Sequence, residues 1–181
     1  MQTQVDFSVI SSFLEIGSNS GIQLFELARK YPNCKFHGID FNLNAIKFAS
    51  ELAELEGLKN LTFAKIDFQD NASLQSIKET SWDIIFSWAA LIYAHPKHIT
   101  RILDYCLKHS HCLILIEQHK SMRYFKKGKL MPKQPTWLRD YAQLVKSGCY
   151  ENVTVKIKSI PTEIWNPWGG HASQIEVRVN D

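Results

Sequence analysis

Five short apolar runs, the first four each followed by a turn and then by a stretch of helical periodicity, constrain this chain more than any other feature. They are VISSFLEI (9–16), KFHGI (35–39), LTFAKI (61–66), WDIIFSW (82–88) and CLILIE (112–117). Runs of this length suit buried strands better than helices. After the first, Leu24, Leu27, Ala28 and Tyr31 recur at i, i+3, i+4 and i+7 until Pro32 and Asn33 stop the pattern. After the second, Asn42 or Asn44 caps a helix bearing Ile46, Ala49, Leu52, Ala53 and Leu55, which Gly57 ends. A short helix is expected over 72–79. Pro96 occupies the first turn of a helix carrying Ile99, Ile102, Leu103, Cys106 and Leu107. Residues 118–135 read as irregular and Lys-rich. Thr136 then caps a helix through Lys146, ended by Gly148. Two alternating stretches, 152–160 and 173–179, close the chain on either side of a loop at 161–170.

Alternating strand and helix predict an α/β fold with a parallel sheet and helices on both faces. The continuous apolar runs fit two-sided burial. The last two strands have no helix between them and should pair antiparallel. With 181 residues and no boundary signal, residues 1–181 read as a single domain. Hydrophobic residues make up 45% and charged residues 22%, which excludes a disordered or collagen-like chain. The 21 Lys and Arg against 18 Asp and Glu leave a net charge of +3, too mild to indicate a nucleic-acid partner by itself. No apolar run approaches the ~18 residues of a membrane span, and no signal peptide is evident, so a cytoplasmic location without membrane contact is expected. Cys34, Cys106, Cys112 and Cys149 form no CxxC pair and read as buried thiols of a reducing compartment.

The first strand runs into Glu15-Ile16-Gly17-Ser18-Asn19-Ser20-Gly21. Glycines there let a ligand approach the backbone, and the following helix offers unpaired N–H groups. Asp40 ends the second strand, 19 residues after Gly21, where a carboxylate can accept both hydroxyls of a ribose. Asp67 ends the third, where it can accept an exocyclic amine. Each signal alone is weak. Their order is not, because parallel strands deliver their carboxyl ends to one crevice. The loop lacks GxGxxG, since Ser18 and Asn19 stand where a second glycine would fall, and this argues against a nicotinamide dehydrogenase.

These residues resemble the motifs of the class I S-adenosylmethionine-dependent methyltransferases, with Glu15 as the acid before the glycine loop, Gly38-Ile39-Asp40 after strand two and Lys65-Ile66-Asp67-Phe68 after strand three. Trp82-Asp83-Ile84-Ile85-Phe86-Ser87 resembles their fourth-strand motif, and the resemblance covers about residues 9–179. It implies a Rossmann-like methyltransferase sandwich: a seven-stranded, mostly parallel sheet with a C-terminal antiparallel pair. It implies S-adenosylmethionine as cofactor. The backbone of the loop at Gly17, Ser18, Asn19 and Gly21 would flank its methionine portion, and Glu15 would organise the loop and reach the amino group. Asp40 would take the ribose hydroxyls, Phe41 would pack on adenine, and Asp67 with the Phe68 backbone would bind the adenine edge. Ser87, Trp88 and Ala89 would line the wall near the sulfonium. Members usually carry a helical cap before strand one. Only about eight residues precede it here, so a minimal member and a chain completed by a partner are both expectations.

On the acceptor side, three loops fall on the same sheet edge: Tyr93 and His95 in the first, His119, Tyr124 and Phe125 in the second, Trp165, Trp168 and His171 in the third. A hydroxyl acceptor needs a base, and imidazole titrates in the useful range. His119 is the first choice and His95 the second. His95 and His98 lie three apart without a third ligand, so no metal site is expected. Arg123, Lys126, Lys127, Lys129 and Lys133 form one basic cluster suited to an anionic acceptor such as a sugar phosphate. The residues 91–96 and 113–117 faintly resemble methylases of bacterial surface-sugar biosynthesis. A small-molecule acceptor is the leading reading. An RNA or protein methyltransferase is the alternative, although Ser87-Trp88-Ala89-Ala90 stands where many amino-group methylases carry (D/N)PP(Y/F/W). A non-catalytic cofactor-binding subunit of a larger complex is the third.

Overall fold

A computed structural model of the chain describes residues 5–77, 81–120, 129–131, 136–148, 152–161 and 172–180. The elements run β1 (Ser12–Ile16), α1 (Ile22–Lys30), β2 (Lys35–Asp40), α2 (Leu43–Leu55), β3 (Leu61–Lys65), α3 (Asn71–Gln75) and β4 (Trp82–Trp88). A 3-10 turn (Leu91–Tyr93) follows, then α4 (Pro96–Lys108), β5 (Ser110–Gln118), β6 (Lys129–Leu130), β7 (Trp137–Leu138), α5 (Tyr141–Ser147), β8 (Val153–Ser159) and β9 (Ala172–Val179). Seven strands form one mostly parallel sheet in the order β3-β2-β1-β4-β5-β9-β8, and β6 pairs with β7 in a separate antiparallel ribbon. The expected α/β sheet with an antiparallel terminal pair is thus the observed one. The chain divides into two compact units, Met1–Ile85 and Phe86–Asp181.

In the first unit β1, β2 and β3 pair in parallel. The β1 register with β2 starts at Ser12 opposite Lys35, just after a turn over residues 7–9 in which the Val9 N–H donates to the Asp6 carbonyl at 3.3 Å. That is why β1 is shorter than the apolar run 9–16, and why Val9 is 78% exposed. The side chain of Asp83 accepts from the Ser11 N–H and hydroxyl and from the Ser12 N–H, anchoring the entry to β1. Asn42 caps α2 by accepting from the N–H groups of Asn44 and Ala45, as its position suggests. The side-chain amide of Asn60 donates to the carbonyls of Ala28, Tyr31 and Cys34, tying the end of α1 to the start of β3. The sequence pattern places Leu52 and Leu55 in the core with Ile46, Ala49 and Ala53. The structure buries only the last three, and Leu55 is 84% exposed. Helix α3 covers five residues from its Asp70 cap, less than the expected 72–79. Lys78, Glu79 and Thr80 lie outside the described residues.

In the second unit β5 is the most buried strand, with all residues but His111 inside. It pairs antiparallel with β9, which pairs antiparallel with β8. Pro96 opens α4 as expected, behind His95 as N-cap. The helix expected from Thr136 is corrected. Trp137 and Leu138 are drawn into extended backbone by pairing with β6, Arg139 bridges His119, and α5 begins only at Tyr141 under an Asp140 cap. Strand pairing overrode a local pattern that suited a helix. Cys34, Cys106 and Cys112 are buried free thiols, and Cys149 lies outside the described residues. Among the described residues no helix is long and apolar enough to cross a membrane.

Candidate functional site

The loop between β1 and α1 is shaped by its backbone. Gly17 and Gly21 take φ 76° and 74°, and Asn19 takes φ 49°. Side chains other than Gly, Asn and Asp are strained there. The N–H groups of Gly17 and Ser18 both donate to the Ile39 carbonyl, at 2.8 and 3.0 Å, which folds the loop over the end of β2. Gly21 also has a packing role that the sequence does not disclose. A Cβ there would sit 2.4 Å from the Phe63 ring, and one at Gly38 would sit 2.6 Å from it. These two glycines make room for Phe63 of β3, which fills the space beneath the loop.

Asp40 is buried at the end of β2. Its Oδ2 accepts from the Asn19 N–H at 3.0 Å, and its Oδ1 from the Asn42 N–H at 2.8 Å. A carboxylate has about four acceptor sites, so each oxygen keeps one for a ligand. Glu15 is buried too. Desolvation first, and the Asp40 charge second, push its carboxyl up to about 8. The Ser18 hydroxyl is buried and has no hydrogen-bond partner. An acid held near neutrality, an orphaned hydroxyl and a carboxylate with spare lone pairs therefore meet around one left-handed loop. These groups fit the amino, carboxylate and ribose portions of S-adenosylmethionine. Phe41 is 67% exposed beyond Asp40, offering its ring to a ligand face. Asp67 is exposed, and its Oδ1 accepts from the Gln69 N–H at 2.9 Å. The Phe68 side chain is buried, so only its backbone is available.

In the second unit a buried polar cluster was missed by sequence reasoning. Glu117, at the end of β5, is fully buried. Its Oε1 accepts from the Ser87 hydroxyl at 2.7 Å and from the N–H groups of Ala90 and Leu91, and its Oε2 accepts from the Ile92 N–H. Burial pushes its carboxyl up to about 7 against these bonds. Arg139, also fully buried, donates to the carbonyls of Leu91 and Ala94. Together they grip both polarities of the turn after β4, whose first residue, Ala89, takes φ 57°. Ser87 is therefore wholly inside and engaged with Glu117, not lining a wall as expected. Trp88 is half-buried at the strand end. The one signal for Glu117 was a carboxylate closing the most apolar run. Nothing local marks Arg139.

His119 is buried, and its Nδ1 accepts from the Tyr141 N–H at 3.2 Å. This bond places the proton of the neutral ring on Nε2. Burial lowers its pKa, while the Asp140 charge and an Arg139 backbone contact raise it. His95 is exposed, and its Nδ1 accepts from the Lys97 N–H at 3.3 Å. Its ring lies 6.0 Å from Trp137 and 6.3 Å from His98. Tyr93, on the gripped turn, is 55% exposed. Lys129 is exposed at the start of β6. Arg123, Tyr124, Phe125, Lys126, Lys127, Lys133, Trp165, Trp168 and His171 lie outside the described residues.

Comparison with known proteins places this arrangement. The family model described as "Methyltransferase domain" matches residues 10–168, and the chain belongs to that family, whose cofactor is S-adenosylmethionine. The chain is 36% identical over 97 residues to ribosomal RNA small subunit methyltransferase G of Bacteroides fragilis, a match covering 54% of this chain and 44% of that protein. It is 28% identical over 92 residues to tRNA (guanine-N(7)-)-methyltransferase of Enterococcus faecalis, covering 51% and 42%. The chain thus spans less than half the length of these curated relatives. Its fold is that of the O-methyltransferase of a trans-AT polyketide synthase multienzyme of Brevibacillus brevis, solved with S-adenosyl-L-homocysteine. The TM-score is 0.74 at 10% identity, over 97% of this chain and 69% of that one.

Proposed function

We propose that the chain transfers a methyl group from S-adenosylmethionine to a small acceptor, anionic or sugar-containing, with residues 1–181 acting as one cofactor-binding domain. The observation that carries the cofactor half is Asp40, buried against the loop, with one oxygen engaged by the loop N–H of Asn19, the other by the Asn42 N–H at the start of α2, and the protonatable Glu15 beside it. The loop, Asp40, Phe41, Asp67 and the Phe68 backbone hold the cofactor in this reading. Methyl transfer from a sulfonium is an in-line displacement, so positioning supplies much of the acceleration. The grip of Glu117 and Arg139 on the turn after β4 supports the acceptor half. It fixes the turn that carries the exposed Tyr93 and leads into His95, whose ring lies 6.0 Å from that of Trp137. Of the two histidines, His119 is buried and His95 faces solvent, where an acceptor can reach it; each Nδ1 accepts a backbone N–H, at 3.2 and 3.3 Å respectively.

A second reading, an RNA methyltransferase, is favoured by the two curated relatives, which methylate ribosomal RNA and tRNA by name. Labelled S-adenosylmethionine offered with sugar phosphates, nucleotide sugars and phenols in one series, and with total ribosomal and transfer RNA in another, separates the two. Label entering RNA alone overturns the small-acceptor reading. Calorimetry with S-adenosylhomocysteine and with NAD tests the cofactor, and binding of NAD alone overturns both.

A further inference from the structure

Helix α2 carries two apolar stripes. One, formed by Ile46, Ala49 and Ala53, is buried in the first unit. The other runs Ala45, Phe48, Leu52, Leu55, with steps of three, four and three. This is the spacing by which one helix meets another along a seam. Phe48 is 58% exposed, Leu55 is 84% exposed, and Ala45 and Leu52 are half-buried. Scattered exposed apolar residues are ordinary, but a contiguous seam marks an interaction surface.

The charges beside the seam indicate what covers it. On its outer flank stand Lys47 toward one end, Glu54 toward the other and Glu51 between them, all exposed. The residue on the opposite flank, Glu56, is already engaged with Arg29 of α1 at 2.6 Å. A flank with a cation at one end and an anion at the other is complementary to itself when reversed. Reversal about a two-fold axis is the arrangement of an isologous dimer, in which the same patch serves both copies. We propose that α2 packs antiparallel on α2 of a second copy of this chain. Phe48 and Leu52 of one copy meet Leu52 and Phe48 of the other, and each Lys47 faces the other copy's Glu54.

The test is sedimentation of the full chain across a wide concentration range, with circular dichroism as a check on folding. The wild type associates as a dimer. Phe48→Glu and Leu55→Lys each raise the dissociation constant about 30-fold or more, as loss of a buried apolar anchor does. Lys47→Glu weakens association about five-fold, because two symmetric pairs become repulsive. Adding Glu54→Lys to Lys47→Glu restores it, since the swapped charges again face opposites. S-adenosylhomocysteine affinity stays unchanged in all of them. A wild type that is monomeric throughout, a dimer indifferent to Phe48 and Leu55, or a charge swap that fails to restore association each overturns the proposal.

Discussion

At the residue scale the proposed cofactor site rests on a few groups whose chemistry is separable. Replacing Asp40 with Ala removes acceptors for both the loop and a ribose. S-adenosylhomocysteine affinity should fall about 10- to 150-fold, the equivalent of ~1.5–3 kcal/mol for hydrogen bonds to a charged group. Calorimetry on the folded variant checks this, and an unchanged dissociation constant would make Asp40 a turn residue only. Gly17→Val puts a branched side chain at φ 76°, so binding should be lost while the far-UV spectrum is retained. Glu15 gives the site a pH signature. Its carboxyl stands at about 8 without ligand, and an ammonium beside it favours the ionised form. Binding below pH 8 should therefore release a proton, and affinity should rise with pH between about 6 and 8, by at most about ten-fold per unit. Glu15→Gln should abolish the dependence, and titrations in buffers of different ionisation enthalpy read the proton directly.

At the element scale, the turn after β4 is held by long-range bonds, not by its own sequence. Ala89 sits at φ 57°, where glycine is at ease. Ala89→Gly should raise stability by roughly 0.5–1 kcal/mol, relief of left-handed strain less the extra chain entropy. A lowered melting temperature would show that the alanine methyl packs usefully. Arg139→Met leaves the Ala94 carbonyl without its buried donor, at a cost of about 1–3 kcal/mol, while the Leu91 carbonyl keeps the Ala94 N–H. The same contacts explain the miss in the sequence reading. The side chains of positions 117 and 139 reach across to the turn after β4, and no periodicity records such a partnership.

For the whole molecule, the buried acids set the direction of the pH dependence. Glu15 and Glu117 stand at about 8 and about 7 when folded, against an ordinary 4.5. Between those values the folded chain holds protons that the unfolded chain has lost. Their contribution is full below about pH 4.5 and is lost as pH rises through 7 to 8. Asp83 works oppositely: burial raises it, but the bonds from Ser11 and Ser12 outweigh burial and hold it below 3.8. Its contribution disappears only in stronger acid. The melting temperature should therefore decline from pH 5 to 8, and Glu117→Gln should flatten part of that slope. A rise over this range would contradict the protonated burial of both acids.

By itself the sequence determined the order of the sheet's elements, because short apolar runs and helical periods are local and survive in a one-dimensional pattern. It also marked Glu15, Gly17, Asp40 and Asp67, because parallel strands deliver their ends to one edge and those positions can be counted along the chain. Tertiary structure decided what depends on neighbours distant in sequence. It assigned Gly21 and Gly38 to the Phe63 ring, turned Leu52 and Leu55 away from the core, and replaced the start of a helix at Thr136 with strand pairing. It also buried Ser87 against Glu117 and engaged the Nδ1 of His119. Each of these outcomes is fixed by desolvation and hydrogen-bond satisfaction among groups that only the folded chain brings together.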